Sequence, residues 1–573
     1  MKLSNFNQTP KIPQIFLSLR RCLLMLSLGV SLSLATLSSA HAAKTVTIEY
    51  RAIGRTIPVS SIKAFVEQGT VDENLSYYMN LLNPEQRGNL RKALGNAPIL
   101  SALGVDPKNF TVRLTQFLYD PMGVRLLNYT GRFIQTSDRD NGQQALRAAV
   151  ILAAADPKGF SAMRAIEYFP SQIIRLKLDV ALASFEDFKA EVEETLDTVS
   201  KLKQVSLAAA ATEPVVDFAT LPNLTQLGPF PFVSEELKLQ DVSRNRVYPA
   251  DVYRPENLNA VSGSIPVMVI SHGFGDTRSH FAEFAKHLAS YGFVVAVPEH
   301  IGSNTDQKEA LISMRAHEAF RVREFIDRPL DISFLLDELG RLNETKFQGR
   351  LDLNNVAVMG HSFGGYTALA LAGATINFES LQQQCLPNVD VVANLALLLE
   401  CRALELKDSP EALQQLTQGF ADKRVKLVMA FAPVSSLFGK SGMGRIQIPV
   451  VIYGGAYDVA APVVPQQVKT FGWLTDPEKY LYLTDKTSHN AELTQWTDRL
   501  FNPGENFENN FQEKIQSVRG TLKVLVVAFS RVFLQSKEEY RPFLTSRYLE
   551  NDPGKEQIPF YLIRELPKDL RLD

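Results

Sequence analysis

A serine between glycines stands where an apolar run changes into a helical pattern. Residues 356–359 (VAVM) have the composition of a buried strand and residues 365–373 (GYTALALAG) that of a helix, with GHSFG (360–364) between them. In a G-x-S-x-G turn the serine is held in a strained conformation that exposes its hydroxyl, and the glycines let neighbouring backbone approach closely. The pattern predicts that Ser362 is a nucleophile; a tight turn with only a structural purpose is the alternative.

A serine hydroxyl is a weak nucleophile unless a base takes its proton. In the strand–turn–helix arrangement of this motif, the chain order is Ser, then Asp or Glu, then His. Of eight histidines, His489 is the only one that follows Ser362, so we predict that it is the base. The alternative is a solvated loop histidine. His361 adjoins the nucleophile, and we expect it to point away and to be structural.

The base needs a carboxylate that holds its tautomer and stabilises the imidazolium. The apolar run IPVVIYGG (448–455) ends shortly before Asp458, which we predict to be this partner. A turn-forming aspartate is the alternative. Asp485 is the competing candidate, although it lies four residues before His489 on the same loop.

An oxyanion that forms during attack on a carbonyl needs preorganised backbone N–H groups. We predict one from Phe363, the residue after the nucleophile, and another from Phe274 in the loop HGFG (272–275). The alternative is a turn that merely requires glycines. Asp276 and Arg278 either order this loop or contact the substrate, and the sequence leaves both open.

These residues must be positioned by a sheet, and the pattern after residue 236 predicts one. Short apolar runs alternate with helical patterns there, among them 265–273, 293–300, 425–433 and 480–484. Apolar runs of this length between helices indicate a mostly parallel α/β sheet that is buried on both faces. Residues 374–423 are too long for a simple connection, so we predict a helical cap inserted after the nucleophile helix.

The segment before residue 207 has a different pattern of apolar residues, with helical spacing. Leu75, Tyr78, Met79 and Leu82 follow helical spacing, and ALRAAVILAAADP (145–157) is typical of a buried helix that stops at a proline. We therefore predict a mainly helical domain over 43–206, a linker over 207–235 and a catalytic domain over 236–573.

The N-terminus resembles an export signal. Residues 1–42 contain four basic and no acidic residues, an apolar stretch from Leu23 to Leu37 and the sequence Ala-His-Ala at 40–42. This pattern predicts a signal peptide that is cleaved after Ala42, with the mature protein in the periplasm or outside the cell. An uncleaved membrane anchor is the alternative, and the choice of export route stays open.

Two cysteines remain after the signal is removed. In an oxidising compartment Cys385 and Cys401 are predicted to form a disulfide, with two buried free thiols as the alternative. Their spacing is not that of a zinc site, and we expect no metal and no other cofactor. The formal net charge of −2 gives no indication of a nucleic-acid partner. The oligomeric state is open.

Several stretches carry a family resemblance. The segments at 272–300 (HGFGDTRSHFAEFAKHLASYGFVVAVPEH), 325–339 and 360–369 resemble α/β-hydrolases of the platelet-activating factor acetylhydrolase and dienelactone hydrolase branch. Residues from 50–69 onward resemble an uncharacterised helical domain that precedes such hydrolases in exported bacterial proteins. The resemblance implies an eight-stranded, mostly parallel sheet with helices on both faces, and metal-free hydrolysis of carboxylic esters by Ser362, His489 and Asp458. The cap at 374–423 departs from the family pattern.

Together these observations predict an exported serine esterase or lipase that acts on a small-molecule or lipid ester. A serine peptidase or acyltransferase with the same three residues is an alternative within enzymes. A non-catalytic protein that binds a lipid or a partner is the alternative from another class. The sequence leaves open the natural ester, contact with a membrane surface and the role of the N-terminal domain.

Overall fold

The computed structural model describes residues 42–95, 107–501 and 511–570, so all of the predicted signal peptide except Ala42 lies outside the described residues. The described chain forms two compact units. The small unit comprises residues 42–95 and 131–179, and the large unit comprises residues 107–130 and those from 180 onward. This division differs from one helical domain over 43–206, because residues 107–130 and 180–206 belong to the large unit.

The elements are numbered along the described chain. The strands are β1 (Thr45–Tyr50), β2 (Ile53–Pro58), β3 (Ile134–Gln135), β4 (Ile173–Lys177), β5 (Phe232–Asp241), β6 (Arg246–Pro255), β7 (Ile265–Ser271), β8 (Val294–Pro298), β9 (Leu351–His361), β10 (Val425–Phe431), β11 (Val450–Gly455), β12 (Lys479–Thr484) and β13 (Phe560–Ile563). The α-helices are α1 (Val59–Gln68), α2 (Glu73–Met79), α3 (Pro84–Gly95), α4 (Pro107–Tyr119), α5 (Pro121–Thr130), α6 (Gln143–Ala155), α7 (Ala162–Glu167), α8 (Leu178–Thr212), α9 (Ala282–Ser290), α10 (Thr305–Ile312), α11 (Glu324–Lys346), α12 (Phe363–Leu371), α13 (Phe378–Gln384), α14 (Ala396–Glu400), α15 (Pro410–Gln418), α16 (Gly439–Met443), α17 (Lys469–Trp473), α18 (Ala491–Phe501), α19 (Phe511–Gln535) and α20 (Ser546–Asn551). None of these helices is both long and apolar enough to cross a membrane.

The small unit combines helices with a four-stranded sheet in the order β2-β1-β4-β3. Its helices agree with the predicted helical character, but the sequence analysis does not predict the sheet. Val46 of β1 is buried and packs in one apolar cluster with Phe65 of α1 and Ile174 of β4. The alternation of apolar and polar residues in TVTIEY is the signal that could have indicated a strand, although Thr47 and Glu49 are buried as well as Val46.

The large unit is built on a nine-stranded sheet in the order β13-β12-β11-β10-β9-β7-β8-β6-β5. The strands from β8 to β12 in this order pair in parallel, whereas β5, β6 and β13 are antiparallel to their neighbours. The predicted mostly parallel sheet is confirmed, with one strand more than the eight expected. The additional strand β13 is short and comes after the long helix α19.

Apolar side chains cover both faces of this sheet. In β7, Val267 and Val269 belong to the core on one face, and Met268 and Ile270 to the core on the other. Successive side chains of a strand point to opposite faces, so a strand that is apolar at every position must be buried twice. Burial of both faces explains why the run at 265–270 is apolar throughout and why helices that cover the sheet follow such runs in the sequence.

Helix α8 runs through the predicted domain boundary at residue 206. The predicted linker over 207–235 therefore begins inside a helix, and its last residues already belong to β5. Alanine is the strongest helix former, so the alanine-rich stretch at 208–211 continues the helix instead of ending it. Ser206 is buried, and its hydroxyl accepts a hydrogen bond from the N–H of Leu562 in β13 at 2.9 Å.

The segment at 374–423 contains α13, α14 and α15, in agreement with a helical insertion after α12. Cys385 at the end of α13 and Cys401 after α14 are joined by a disulfide. The bond links two of the helical parts of the insertion, and Cys401 is buried.

Candidate active site

Ser362 lies between β9 and α12 in a strained backbone conformation, with φ 58° and ψ −118°. Positive φ is costly for a residue with a side chain, and such strain persists only where the surroundings enforce it. Its N–H donates to the carbonyl of Phe431 at 2.9 Å, and its carbonyl accepts from the N–H groups of Gly365 at 2.9 Å and Tyr366 at 3.2 Å. These bonds hold the turn between the strand and the helix.

The glycines on either side are required by close backbone contacts. A Cβ atom at Gly360 would lie 2.0 Å from the carbonyl oxygen of Gly364, and a Cβ at Gly364 would lie 2.0 Å from that of Ser271. Any side chain at either position would displace the backbone. The second contact also brings the end of β7, and the loop that follows it, against the serine turn.

Asp458 and His489 form a hydrogen-bonded pair. The distance from Asp458 Oδ2 to His489 Nδ1 is 2.8 Å. The other carboxylate oxygen accepts from the N–H groups of Ala460 at 2.9 Å and Ala461 at 2.7 Å, and the side chain is completely buried. The carboxylate is therefore held in one orientation, and in a neutral imidazole a proton on Nδ1 leaves Nε2 as an acceptor.

The competing carboxylate lies elsewhere. Asp485 Oδ2 accepts from Lys203 Nζ at 3.3 Å and from the Tyr561 hydroxyl at 3.1 Å. These partners belong to α8 and β13, on a different side of the loop from the pair with His489. Asp485 is thus part of the packing of α8 on the sheet edge.

His361 connects the serine turn to the loop of His489. Its Nε2–H donates to the backbone carbonyl of His489 at 2.9 Å, and the two ring centroids are 4.7 Å apart. Burial of the ring and the nearby His489 lower the pKa of His361 to about 4, so it is neutral at pH 7. The sequence predicts a structural role for His361, but its adjacency to Ser362 does not reveal that it holds the His489 loop.

The HGFG loop lies against the serine. A Cβ at Gly273 would be 3.3 Å from Ser362 Cβ and 3.2 Å from His361 Nδ1. Phe274, which follows Gly273, is one of the two predicted oxyanion donors. The other, Phe363, opens α12, where the first N–H groups have no partner inside the helix. The chain therefore brings both predicted donors next to the serine turn.

His272, the first residue of this loop, and His300, which follows β8, are both completely buried. His272 Nε2 accepts from the N–H of His300 at 3.0 Å, so its Nδ1 carries the proton and donates to the carbonyl of Gly273 at 2.8 Å. Burial, together with the nearby charge of Arg328, lowers the pKa of both histidines far below the usual value. Both are neutral structural groups. Within 42–95, 107–501 and 511–570, no group of three or more His, Cys, Asp or Glu is arranged to hold a metal ion.

Asp276 and Arg278 make contacts within the protein. The Asp276 carboxylate accepts from the N–H of Thr277 and pairs with His280. Arg278 pairs with Glu236 at 2.5 Å and Asp251 at 3.0 Å. Of the two roles left open by the sequence, these contacts favour ordering of the loop.

Two cavities border the Asp458–His489 pair. One has a volume of about 280 Å³ beside Asp458 and is lined mainly by apolar side chains of α8 and of the segments around residues 392 and 463. The carboxyl of Glu191 lies on its wall, where burial and the nearby Asp390 raise its pKa. The other cavity, of about 210 Å³, is lined by His361 and His489 and by side chains of α9 and α19. Both offer apolar space next to groups that could move a proton.

Comparison with known families identifies the fold. Residues 232–416 match the family described as "Chlorophyllase", and residues 42–177 match the one described as "Alpha/beta hydrolase of unknown function (DUF1400)". The chain has the α/β-hydrolase fold. The second match coincides with the N-terminal region whose resemblance to an uncharacterised domain of such hydrolases is predicted from the sequence, and it includes α4 and α5.

Individual relatives of the chain are distant. The platelet-activating factor acetylhydrolase of Cavia porcellus is 27% identical over 136 residues, covering 18% of this chain and 31% of that protein. The methylthioribose-1-phosphate isomerase of Caenorhabditis elegans is 29% identical over 97 residues, covering 17% of this chain and 26% of that protein. The "Putative esterase YitV" of Bacillus subtilis (strain 168) is 26% identical over 200 residues, covering 30% of this chain and 74% of that protein.

The chain thus spans less than a third of the length of the first two relatives. The similarity confirms the predicted resemblance to the platelet-activating factor acetylhydrolase branch.

Proposed function

We propose that this α/β-hydrolase cleaves carboxylic esters with Ser362 as nucleophile, His489 as general base and acid, and Asp458 as the carboxylate that orients His489. The supporting observation is the 2.8 Å hydrogen bond between Asp458 and His489, on a loop that His361, the neighbour of Ser362, holds through its ring. The three residues follow the carboxyl ends of β9, β11 and β12 in the parallel part of one sheet, with β10 between β9 and β11. This edge of an open α/β sheet is where ligands bind in such folds.

The reaction proceeds in two steps. Ser362 Oγ attacks the ester carbonyl carbon while His489 Nε2 takes the hydroxyl proton, and Asp458 stabilises the imidazolium. The N–H groups of Phe274 and Phe363 stabilise the oxyanion, and the alcohol leaves with the proton from His489. A water molecule, activated by the same imidazole, then hydrolyses the acyl-enzyme and releases the acid and the free serine.

The substrate class follows from the space around the site. We propose that the cavity of about 280 Å³ beside Asp458 accepts the apolar part of a small-molecule or lipid ester. Apolar lining favours an alkyl chain by about 0.8 kcal/mol for each CH₂ group removed from water. The half-buried carboxyl of Glu191 on the wall disfavours an anionic group there.

The test of the nucleophile is hydrolysis and covalent labelling. The mature protein should hydrolyse p-nitrophenyl acetate and butyrate and react with a fluorophosphonate, and Ser362→Ala should lose both reactions. Ser530→Ala is the matched control, because Ser530 is a buried serine whose hydroxyl donates to the carbonyl of Val526 on α19. Labelling that persists in Ser362→Ala would overturn the assignment.

We further propose that the protein is exported, with residues 1–42 removed. The disulfide between Cys385 and Cys401 supports an oxidising compartment. Intact-mass analysis of the protein from the periplasm and medium of cells that express the full chain should give the mass of a chain that begins at residue 43. Recovery of the uncleaved chain in the membrane fraction would instead indicate an N-terminal anchor.

A further inference from the structure

A buried arginine contacts the backbone that precedes one predicted oxyanion donor and the side chain of the other. Arg328 of α11 is completely inaccessible to solvent. Its Nη1 donates to the carbonyl of His272 at 2.7 Å and its Nη2 to the carbonyl of Gly273 at 3.2 Å. Its guanidinium carbon lies 4.4 Å from the ring centroid of Phe363.

We propose that Arg328 is a positioning residue that orients the two backbone N–H groups of the oxyanion hole. The inference rests on the proposed function, because it assigns Arg328 to the hydrolysis carried out by Ser362. It goes beyond that function in naming a side chain outside the triad that sets the rate of the chemical step.

The first part of the argument is the geometry of one peptide unit. The carbonyl of Gly273 and the N–H of Phe274 belong to the same planar group, and the described chain has no cis peptide bond. In a trans unit the C=O and N–H bonds point in opposite directions. Because Arg328 Nη2 and His272 Nδ1 both hold the carbonyl on the inner side, the N–H of Phe274 must point outward.

The second part concerns Phe363. Its ring is fully buried and is in contact with the face of the Arg328 guanidinium. A cation over an aromatic face is attracted to it, most strongly where water is excluded. Since Phe363 opens α12, this contact fixes the residue whose own N–H is the other donor. One guanidinium therefore sets the spacing between the two donors.

The third part is the support behind Arg328. Its Nε donates to Ser303 Oγ at 2.9 Å, and that hydroxyl donates to Glu324 Oε2 at 2.7 Å. Glu324 lies one helical turn earlier on α11, with its Oε2 at 3.7 Å from Arg328 Nε. Burial lowers the pKa of Arg328 to about 10, so the guanidinium keeps its charge at pH 7.

An arginine suits this place because its planar fork reaches several acceptors in fixed directions, whereas a lysine ammonium is a single point charge. Arg328→Lys keeps the charge but cannot hold both carbonyls in the same plane. Arg328→Met keeps much of the volume and removes every donor. A third variant, Ser303→Ala, leaves Arg328 and its bonds to both carbonyls in place and removes the hydroxyl that bridges its Nε to Glu324.

The experiment measures kcat and KM for p-nitrophenyl butyrate, with sites counted by complete fluorophosphonate labelling. Loss of one oxyanion donor lowers kcat by about 10²–10³-fold. We therefore expect a fall of about 10- to 100-fold in kcat per labelled site for Arg328→Lys and Arg328→Met, a smaller fall for Ser303→Ala, and little change in KM. The affinity for a trifluoromethyl ketone, which forms a tetrahedral adduct, should fall by the same factor.

Arg531→Met is the matched control. Arg531 is a buried arginine of α19 that donates to the carbonyl of Tyr291 and lies over the ring of Phe293, away from the HGFG loop. This variant should lower the melting temperature while kcat per labelled site stays unchanged. If Arg328→Lys and Ser303→Ala behave in the same way as this control, the inference is wrong. If the unaltered protein neither hydrolyses esters nor labels, the proposed function itself fails.

Discussion

At the scale of single residues, substitutions of the two aspartates near His489 should affect kcat differently. In Asp458→Asn, the N–H groups of Ala460 and Ala461 should retain the amide oxygen, so the NH₂ group faces His489 Nδ1. That NH₂ can only donate, which forces the imidazole proton onto Nε2 and removes the base. We expect kcat to fall by about 10³–10⁴-fold. Steady-state kinetics with p-nitrophenyl butyrate measure the loss.

Asp485→Asn is the control, because Asp485 contacts Lys203 and Tyr561 instead of His489. The kcat of Asp485→Asn should stay within about twofold of the original value, since a substitution away from the reacting groups rarely alters the chemical step. Equal losses in the two variants would contradict the assignment of Asp458.

The residues that could be predicted from sequence are those whose position in a motif reveals their role. Ser362 and Asp458 follow apolar strand runs, and His489 is singled out by chain order. Arg328 and His361 could not be found in this way, because their partners lie 56 and 128 positions away along the chain. Within its helical pattern, Arg328 looks like one of several charges on a partly solvated face.

At the scale of elements, the strands of the large sheet can be predicted because complete burial leaves a continuous apolar run. The sequence does not predict β13, because four residues carry little pattern. The predicted linker begins inside α8. The alanines at 208–211 favour a helix by propensity, but a run without large side chains also suits a domain boundary, and the packing of α8 decides between the two. The position of α8 bears on the proposed function, because α8 lines the cavity of about 280 Å³ beside Asp458.

This position leads to a prediction on chain-length preference. Val192→Trp should fill part of the cavity beside Asp458 and exclude about two CH₂ groups of a long acyl chain. At about 0.8 kcal/mol for each group, kcat/KM for p-nitrophenyl decanoate should fall about tenfold, while the value for the acetate stays constant. Glu193→Trp is the control on the exposed side of the same helix. If the decanoate and the acetate are affected equally, the apolar part of the ester binds elsewhere.

At the scale of the whole molecule, the disulfide and the buried histidines determine which conditions the fold tolerates. Cys385 and Cys401 enclose a loop with a sequence separation of 16. Closing a loop of that size stabilises a protein by about 3 kcal/mol, chiefly by restricting the unfolded chain. We expect the double variant Cys385→Ser/Cys401→Ser to melt at a lower temperature than the oxidised protein. Addition of a reductant should lower the melting temperature of the original protein but not that of the variant.

Acid stability depends on histidines that are buried without charge. His287 of α9 is 2% exposed, and burial together with the nearby Lys523 lowers its pKa to about 4, although Glu283 opposes this effect. In the unfolded chain His287 therefore binds a proton near pH 6.5, whereas in the folded protein it binds this proton only near pH 4. A group with a depressed folded-state pKa contributes stability above its unfolded pKa and loses it as the pH falls.

For His287 alone, linkage gives a loss of about 2 kcal/mol between pH 7 and pH 5. In His287→Gln this part of the acid sensitivity should disappear, so urea unfolding at the two pH values should differ less than in the original protein. His317→Gln, at an exposed histidine, should leave the difference unchanged. An equal pH dependence in all three proteins would mean that His287 is already protonated in the folded state, with a carboxylate such as Glu283 compensating the charge.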